Sequence, residues 1–367
     1  MCNNTVGYFV FSLGWMLGWM ISEIGYHHSM PRELLLKHSR YNKVGVPFVS
    51  LTEKGIDLLG ETSGKLLDDD GLEVPCICGE NQDIGITRVD RHGLPYPLFL
   101  CEACGLIRMN PQPNEADLVW YYSELYRPLY TQTEDIAGLF ESKLWKGDLV
   151  ADVLHQCDVF RDFPFVLDVG CGGGWTLKRF HENGSNCVGY DYSEDLIQFG
   201  RNQGLDLRVG GLDEALESDI LADLVIFSHV LEHVRNPENE IRKLKRLLKD
   251  GGLLYIETPS IYRIKKRLYG DSLLYWQRAH LWEFQLEHVV YFVKKCGLSV
   301  VYDHDDGDSC YVICKNEDGG GEIELPILGD RVSRLVLDFE RQRSSLKTMV
   351  SKRCGKLRSV IGNLLRR

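Results

Sequence analysis

Phe165-Val-Leu-Asp168-Val-Gly170-Cys171-Gly172-Gly-Gly174-Trp175 decides the architecture: an apolar run ends in an acid, and a glycine-rich turn then opens the helical pattern of Trp175–Asn183. In a doubly wound sheet such a turn lies at the carboxyl edge of a strand, where glycines let the backbone approach a ligand closely. The pattern outward is regular. Cys187–Tyr190 reads as a strand and Ser193–Gln203 as a helix, and Leu205–Val209, Leu224–Phe227 and Leu253–Glu257 read as further strands. Pro237–Lys249 predicts a helix closed by Gly251-Gly252. A helix over Glu283–Cys296 and a hairpin of Leu298–Tyr302 with Cys310–Lys315 complete the series. This alternation predicts a parallel sheet covered by helices on both faces.

The ligand follows from the acids. A dinucleotide loop would need a glycine where Trp175 or Leu177 stands, so the G-x-G-x-x-G pattern fails. Asp168 just before the first glycine suits a ligand with an ammonium group, and Asp191 at the end of the next strand suits ribose hydroxyls. S-adenosylmethionine carries both.

Three motifs, Val-Leu-Asp168-Val-Gly170-Cys171-Gly172-Gly-Gly174, Gly-Tyr-Asp191-Tyr192-Ser and His229-Val-Leu-Glu232-His233-Val, resemble those of class I S-adenosylmethionine-dependent methyltransferases in order and spacing. The resemblance implies an α/β fold, a doubly wound, seven-stranded Rossmann-like sheet. It further implies that Asp168 and the loop residues Gly170, Cys171, Gly172 and Gly174 hold the methionine portion of the cofactor. Asp191 would take the ribose, Tyr192 one adenine face, Leu212 and Asp213 the adenine edge, and Ser228 the path toward the substrate.

Cys76-Ile-Cys78-Gly and Cys101-Glu-Ala-Cys104-Gly present four thiols in two pairs, the arrangement of a tetrahedral structural zinc site, although the first pair is C-x-C. With Cys104-Gly-Leu, Asn110-Pro-Gln-Pro and Trp120-Tyr121-Tyr122 downstream, the segment resembles the amino-terminal zinc module of methyltransferases acting on sugars and glycan precursors. At the acceptor, a hydroxyl needs a base. His229, Glu232 and His233 are the candidates after the fourth strand, with His233 proposed to take the proton and Glu232 to orient it. By family pattern His280 shapes the pocket. The basic and aromatic stretch Tyr262–Trp276 reads as a substrate cover, its charges as a solvated face and its aromatics as surfaces for sugar stacking.

The expected organisation is an extension over 1–70, a zinc module over 71–113, a helical linker or lid over 114–164, the methyltransferase domain over 165–318 and a basic helical tail over 319–367. The net charge of −11 argues against nucleic acid as a partner, yet from Arg331 onward eleven Lys and Arg stand against Asp338 and Glu340. That tail predicts an amphipathic helix on anionic membranes or an oligomer contact, with Leu346, Val350, Leu357, Ile361 and Leu364 on one face. Scattered thiols among the twelve cysteines favour a reducing, cytoplasmic setting. The apolar Thr5–Ser22 segment reads as a buried or interfacial helix, an upstream extension, or a membrane span. The expected activity is methyl transfer to a hydroxyl or carbon of a saccharide or glycan precursor. A quinone-type O-methyltransferase and a non-catalytic zinc-bearing interaction protein are the alternatives.

Overall fold

The computed structural model describes residues 33–49, 71–80, 82–126, 135–157, 163–265, 271–317 and 323–342, with single positions between 51 and 59 and at 129. The Thr5–Ser22 segment, Lys266, Arg267, Tyr269 and the tail from 343 onward lie outside the described residues.

Eleven strands are described, β1 (Asp83–Val89), β2 (Pro95–Cys101), β3 (Ile107–Met109), β4 (Phe165–Val169), β5 (Asn186–Asp191), β6 (Asp206–Val209), β7 (Ala222–Ser228), β8 (Leu248–Pro259), β9 (Trp282–Glu283), β10 (Ser299–Asp305) and β11 (Ser309–Lys315). The helices are α1 (Glu115–Trp120), α2 (Ile136–Lys143), α3 (Trp145–Gln156), α4 (Trp175–Glu182), α5 (Glu194–Asn202), α6 (Leu212–Glu217), α7 (Pro237–Arg246), α8 (Leu286–Lys295) and α9 over 329–342. The main sheet has the order β10-β11-β8-β7-β4-β5-β6. Its five strands from β8 to β6 are parallel, and β11 and β10 close it antiparallel. The sheet is therefore mixed rather than wholly parallel, seven strands in an α/β arrangement.

Strand alternation divides the core. Leu167, Val169, Val225, Phe227, Leu254 and Ile256 face one side, and Val166, Leu224, Ile226, Leu253 and Tyr255 the other. The second side packs Val150 and Leu154 of α3, Leu177 and Phe180 of α4 and Ile197 of α5. The first packs α7 and α8 and the smaller antiparallel sheet, whose order is β1-β2-β3-β9.

Three elements differ from their sequence reading. Helix α7 starts as expected, with Pro237 in its first turn and the Asn236 side chain accepting from Asn239 N, but it ends at Arg246. Gly251-Gly252 instead form an irregularity inside β8, where the partner of Ala222 is Leu248 but that of Leu224 is already Leu253. Glu283 is not helical: Trp282 and Glu283 pair with Arg108 and Ile107, so a strand from the carboxyl half completes the cysteine-bearing sheet. Helix α9, the described part of the basic tail, buries Val332, Leu335, Val336 and Phe339. Its Glu340 meets Arg40 at 2.6 Å, and Arg40 also pairs with Asp271 at 2.5 Å.

Candidate active site and cysteine centre

The carboxyl edge of the parallel strands gathers the predicted residues. Asp168, one residue before the end of β4, is almost fully buried, and burial pushes its carboxyl up to about 8 against the nearby charge of Lys146. Gly170 and Gly172 both take left-handed φ values, 82° and 55°, that a side chain would resist. A Cβ on Gly170 would fall 2.3 Å from Val230 Cγ2, which brings the glycine loop against the loop after β7. Gly174 caps α4. The Cys171 side chain lies in the apolar core, so only its main chain is left to face a ligand. The Asp191 carboxylate accepts from Gly172 N and from Ser193 N, each at 2.8 Å, and so fixes the loop relative to β5. Tyr192 is largely exposed beside Gly211. Leu212 is buried at the start of α6, and Asp213 is held by Lys243 at 2.7 Å.

Beyond β7 the acceptor candidates converge. Ser228 donates to Glu257 Oε2 at 2.6 Å. The His229 ring lies between two buried carboxylates, with Nε2 at 3.1 Å from Glu257 and Nδ1 at 3.5 Å from Glu232. His233 Nδ1 is 2.8 Å from the carbonyl of Ala279, which can only accept, so this nitrogen carries the hydrogen and Nε2 presents its lone pair. That lone pair faces Glu232 at 3.8 Å. Burial brings His233 down to about 4 against the pull of Glu232, leaving it neutral at neutral pH. Burial would raise Glu232, but the His229 ring and the other imidazoles outweigh it and bring it to about 2. His229 itself is raised, because Glu257 and Glu232 overcome its burial.

The tyrosines that follow α1 pack against this group. Tyr121–Tyr126 form a π-helical turn after α1, a form of helix frequent at functional sites. The Tyr122 hydroxyl lies 2.8 Å from His233 Nδ1, and the Tyr122 and Tyr126 rings stand edge-on to the imidazole at 5.9 and 6.1 Å. The His280 ring stands edge-on to that of His233 at 5.1 Å; its Nδ1 meets Glu283 at 3.0 Å, and its Nε2 faces the Gln277 amide. Ligating atoms of Glu232, His233 and His280 lie within 4.8 Å of one another, but both His280 nitrogens are already engaged by Glu283 and Gln277. In the cover stretch Tyr275 and Trp276 are buried, so they offer no stacking surface. Sequence reading missed Glu257, Tyr122 and Tyr126 as site residues. An acid ending the apolar run Leu-Leu-Tyr-Ile-Glu257 is the signal that was there to use.

The four cysteines converge as expected. Cys76 and Cys104 sulfurs are 3.3 Å apart and Cys78 and Cys101 sulfurs 3.6 Å, all four lying within 4.8 Å of one another. Gly79 and Gly105, after each pair, take φ of 76° and 80°. The Cys104 carbonyl meets His288 Nε2 of α8 at 3.0 Å, which ties the cluster to the main domain.

Residues 145–302 match the family model described as a methyltransferase domain, somewhat under half of the chain. These residues are thus a methyltransferase domain, carried on the seven-stranded sheet with the glycine loop at its carboxyl edge. Among curated proteins, the ubiquinone biosynthesis O-methyltransferase of Coxiella burnetii (strain Dugway 5J108-111) is 32% identical over 99 residues, which cover 25% of this chain and 42% of that protein. That of Xanthomonas oryzae pv. oryzae (strain PXO99A) is 37% identical over 100 residues with the same coverage. The match thus spans somewhat under half the length of these relatives. Among solved structures, a SAM-dependent methyltransferase from Archaeoglobus fulgidus is similar at 21% identity and a TM-score of 0.38, over 49% of this chain and 99% of that one.

Proposed function

We propose that this protein transfers a methyl group from S-adenosylmethionine to a hydroxyl or carbon of a saccharide or glycan precursor. The observation that carries the acceptor site is the pair of the buried Glu232 and the half-buried His233 under the rings of Tyr122 and Tyr126, beside the glycine loop. The cofactor fits the residues present: a buried carboxylate at Asp168, glycines whose side-chain positions are filled by Val230 and Trp175, and Asp191 at the end of the next strand. S-adenosylmethionine, when bound, supplies a methyl group already activated on a sulfonium. The protein's own work is to align the acceptor, exclude water and take up a proton. His233 Nε2 receives that proton, and Glu232 opposite it stabilises the resulting charge.

The glycan assignment is supported by the cysteine segment with its Cys104-Gly-Leu and Asn110-Pro-Gln-Pro motifs. A zinc ion fits it. The edge of a tetrahedron with Zn–S bonds of about 2.3 Å is about 3.8 Å, close to the observed sulfur separations. Cys76, Cys78, Cys101 and Cys104 would hold the ion, and it would serve as a cross-link. The second reading, a quinone-type O-methyltransferase, is favoured by the names of the curated relatives. A screen of nucleotide sugars and lipid-linked saccharides against catechols and quinols, read by S-adenosylhomocysteine release, decides between them. Turnover confined to the phenolic acceptors would overturn the glycan assignment.

A further inference from the structure

We propose that His229 is a positioning residue, which keeps the Glu232 carboxylate charged and turned toward Nε2 of His233. The proposal rests on the reading of Glu232 and His233 as the groups that meet the acceptor.

The backbone gives the first sign. His229 takes φ of 56°, a left-handed value rare outside glycine and maintained where the surroundings impose it. Its N–H donates to the Glu257 carbonyl at 2.8 Å, and this turn swings the ring back between Glu257 and Glu232. Two buried carboxylates share one ring. A neutral imidazole has a hydrogen for one of them, whereas an imidazolium serves both.

Their needs differ. Glu257 also accepts from Ser228, so it keeps a donor without His229. Glu232 is 1% exposed and neither of its oxygens accepts a well-formed hydrogen bond. The rings facing it are those of His229, His233 and His280. His280 faces a carboxylate of its own in Glu283, and His233 donates its hydrogen to Ala279, so the imidazole whose charge is directed at Glu232 is that of His229. A buried carboxylate deprived of such a partner takes up a proton. His233 would then lose the counter-charge that makes Nε2 a proton acceptor. The other titratable groups facing these rings are Lys146 from α3 and Tyr122 and Tyr126 from the lid.

The test is a ring titration by NMR of the full chain labelled with 13C-histidine, with S-adenosylhomocysteine bound, in wild type and in His229→Asn. Asparagine tolerates the left-handed backbone and keeps a donor, but it carries no charge. In wild type His229 should titrate above the ordinary histidine range and His233 below it. Removing a positive neighbour while Glu232 stays ionised has to raise His233. The proposal requires the opposite: His233 moves lower by about one unit or more, because Glu232 has become neutral. A His233 that titrates higher, or at an unchanged pH, overturns the proposal. So does unchanged kcat in His229→Asn once an acceptor is in hand, where a fall of about ten-fold or more at unaltered S-adenosylhomocysteine affinity is expected. Failure of the wild type to bind S-adenosylhomocysteine would strike the methyltransferase reading instead, and the ring titration can still be run on the ligand-free protein.

Discussion

Asp168 holds its carboxyl in a place where water cannot reach it, and burial moves its titration to about 8. As far as this group goes, the ligand-free protein is most stable below the ordinary carboxylate range and loses that margin as pH rises toward about 8. A ligand ammonium beside Asp168 favours the ionised form, so binding should expel a proton. Calorimetry of S-adenosylhomocysteine binding at neutral pH, in buffers of different ionisation enthalpy, should show close to one proton released in wild type and none in Asp168→Asn. Absence of proton release from wild type would remove Asp168 from contact with the ammonium. At His233 the sign is reversed. Burial lowers it to about 4, so its lone pair is available at neutral pH and is lost as pH falls through that value. His233→Ala should lower kcat by about a hundred- to ten-thousand-fold and leave S-adenosylhomocysteine affinity in place. Wild-type turnover in that variant would make the imidazole a packing group.

At the level of elements, hydrogen bonds tie the cysteine centre to the main domain. β9 pairs with β3, and His288 of α8 reaches the Cys104 carbonyl. Elemental analysis of protein purified without added metal should therefore find about one zinc per chain. Cys104→Ser should lower the melting temperature by about 5 °C or more, since loss of a structural metal ligand exceeds the roughly 1 kcal/mol that moves a domain of this size by 2–4 °C. A metal-free preparation with the wild-type melting temperature would exclude the zinc. The tyrosine turn after α1 is the other element that touches the candidate site. Tyr122→Phe removes the hydroxyl that sits on His233 Nδ1 but keeps the ring, and a loss of kcat of at most about ten-fold is expected.

On the scale of the whole molecule, the tail has two parts with different fates. Helix α9 buries four apolar side chains and places Glu340 on Arg40, tying the tail to the amino-terminal segment and to Asp271. At roughly 1.5–3 kcal/mol for each buried side chain, their removal rivals the entire stability of a typical domain. A chain ending at residue 328 should accordingly be recovered aggregated, whereas one ending at 342 should fold and bind S-adenosylhomocysteine. The basic segment beyond 342 is proposed to bind anionic membranes. Equal partitioning of the full chain and the 342 truncation onto anionic vesicles would defeat that proposal.

What the sequence by itself determined is local. Strand and helix periods, the glycine turn, the acids at the ends of β4 and β5 and the pairing of cysteines all depend on residues a few positions apart, where backbone sterics leave few choices. The register at the edges was not of this kind: Gly251-Gly252 look like a helix stop, yet the pairing of β8 with β7 absorbs them as an irregularity. The acceptor site was legible only as a list of candidates. Tyr122 and His233 stand 111 positions apart, and only the packing of the lid over β7 makes them neighbours. Which histidine is neutral and which is charged was likewise left to the tertiary structure. Two imidazoles of the same intrinsic basicity are set apart by what the fold puts next to them: burial against a carbonyl for His233, and two buried carboxylates for His229.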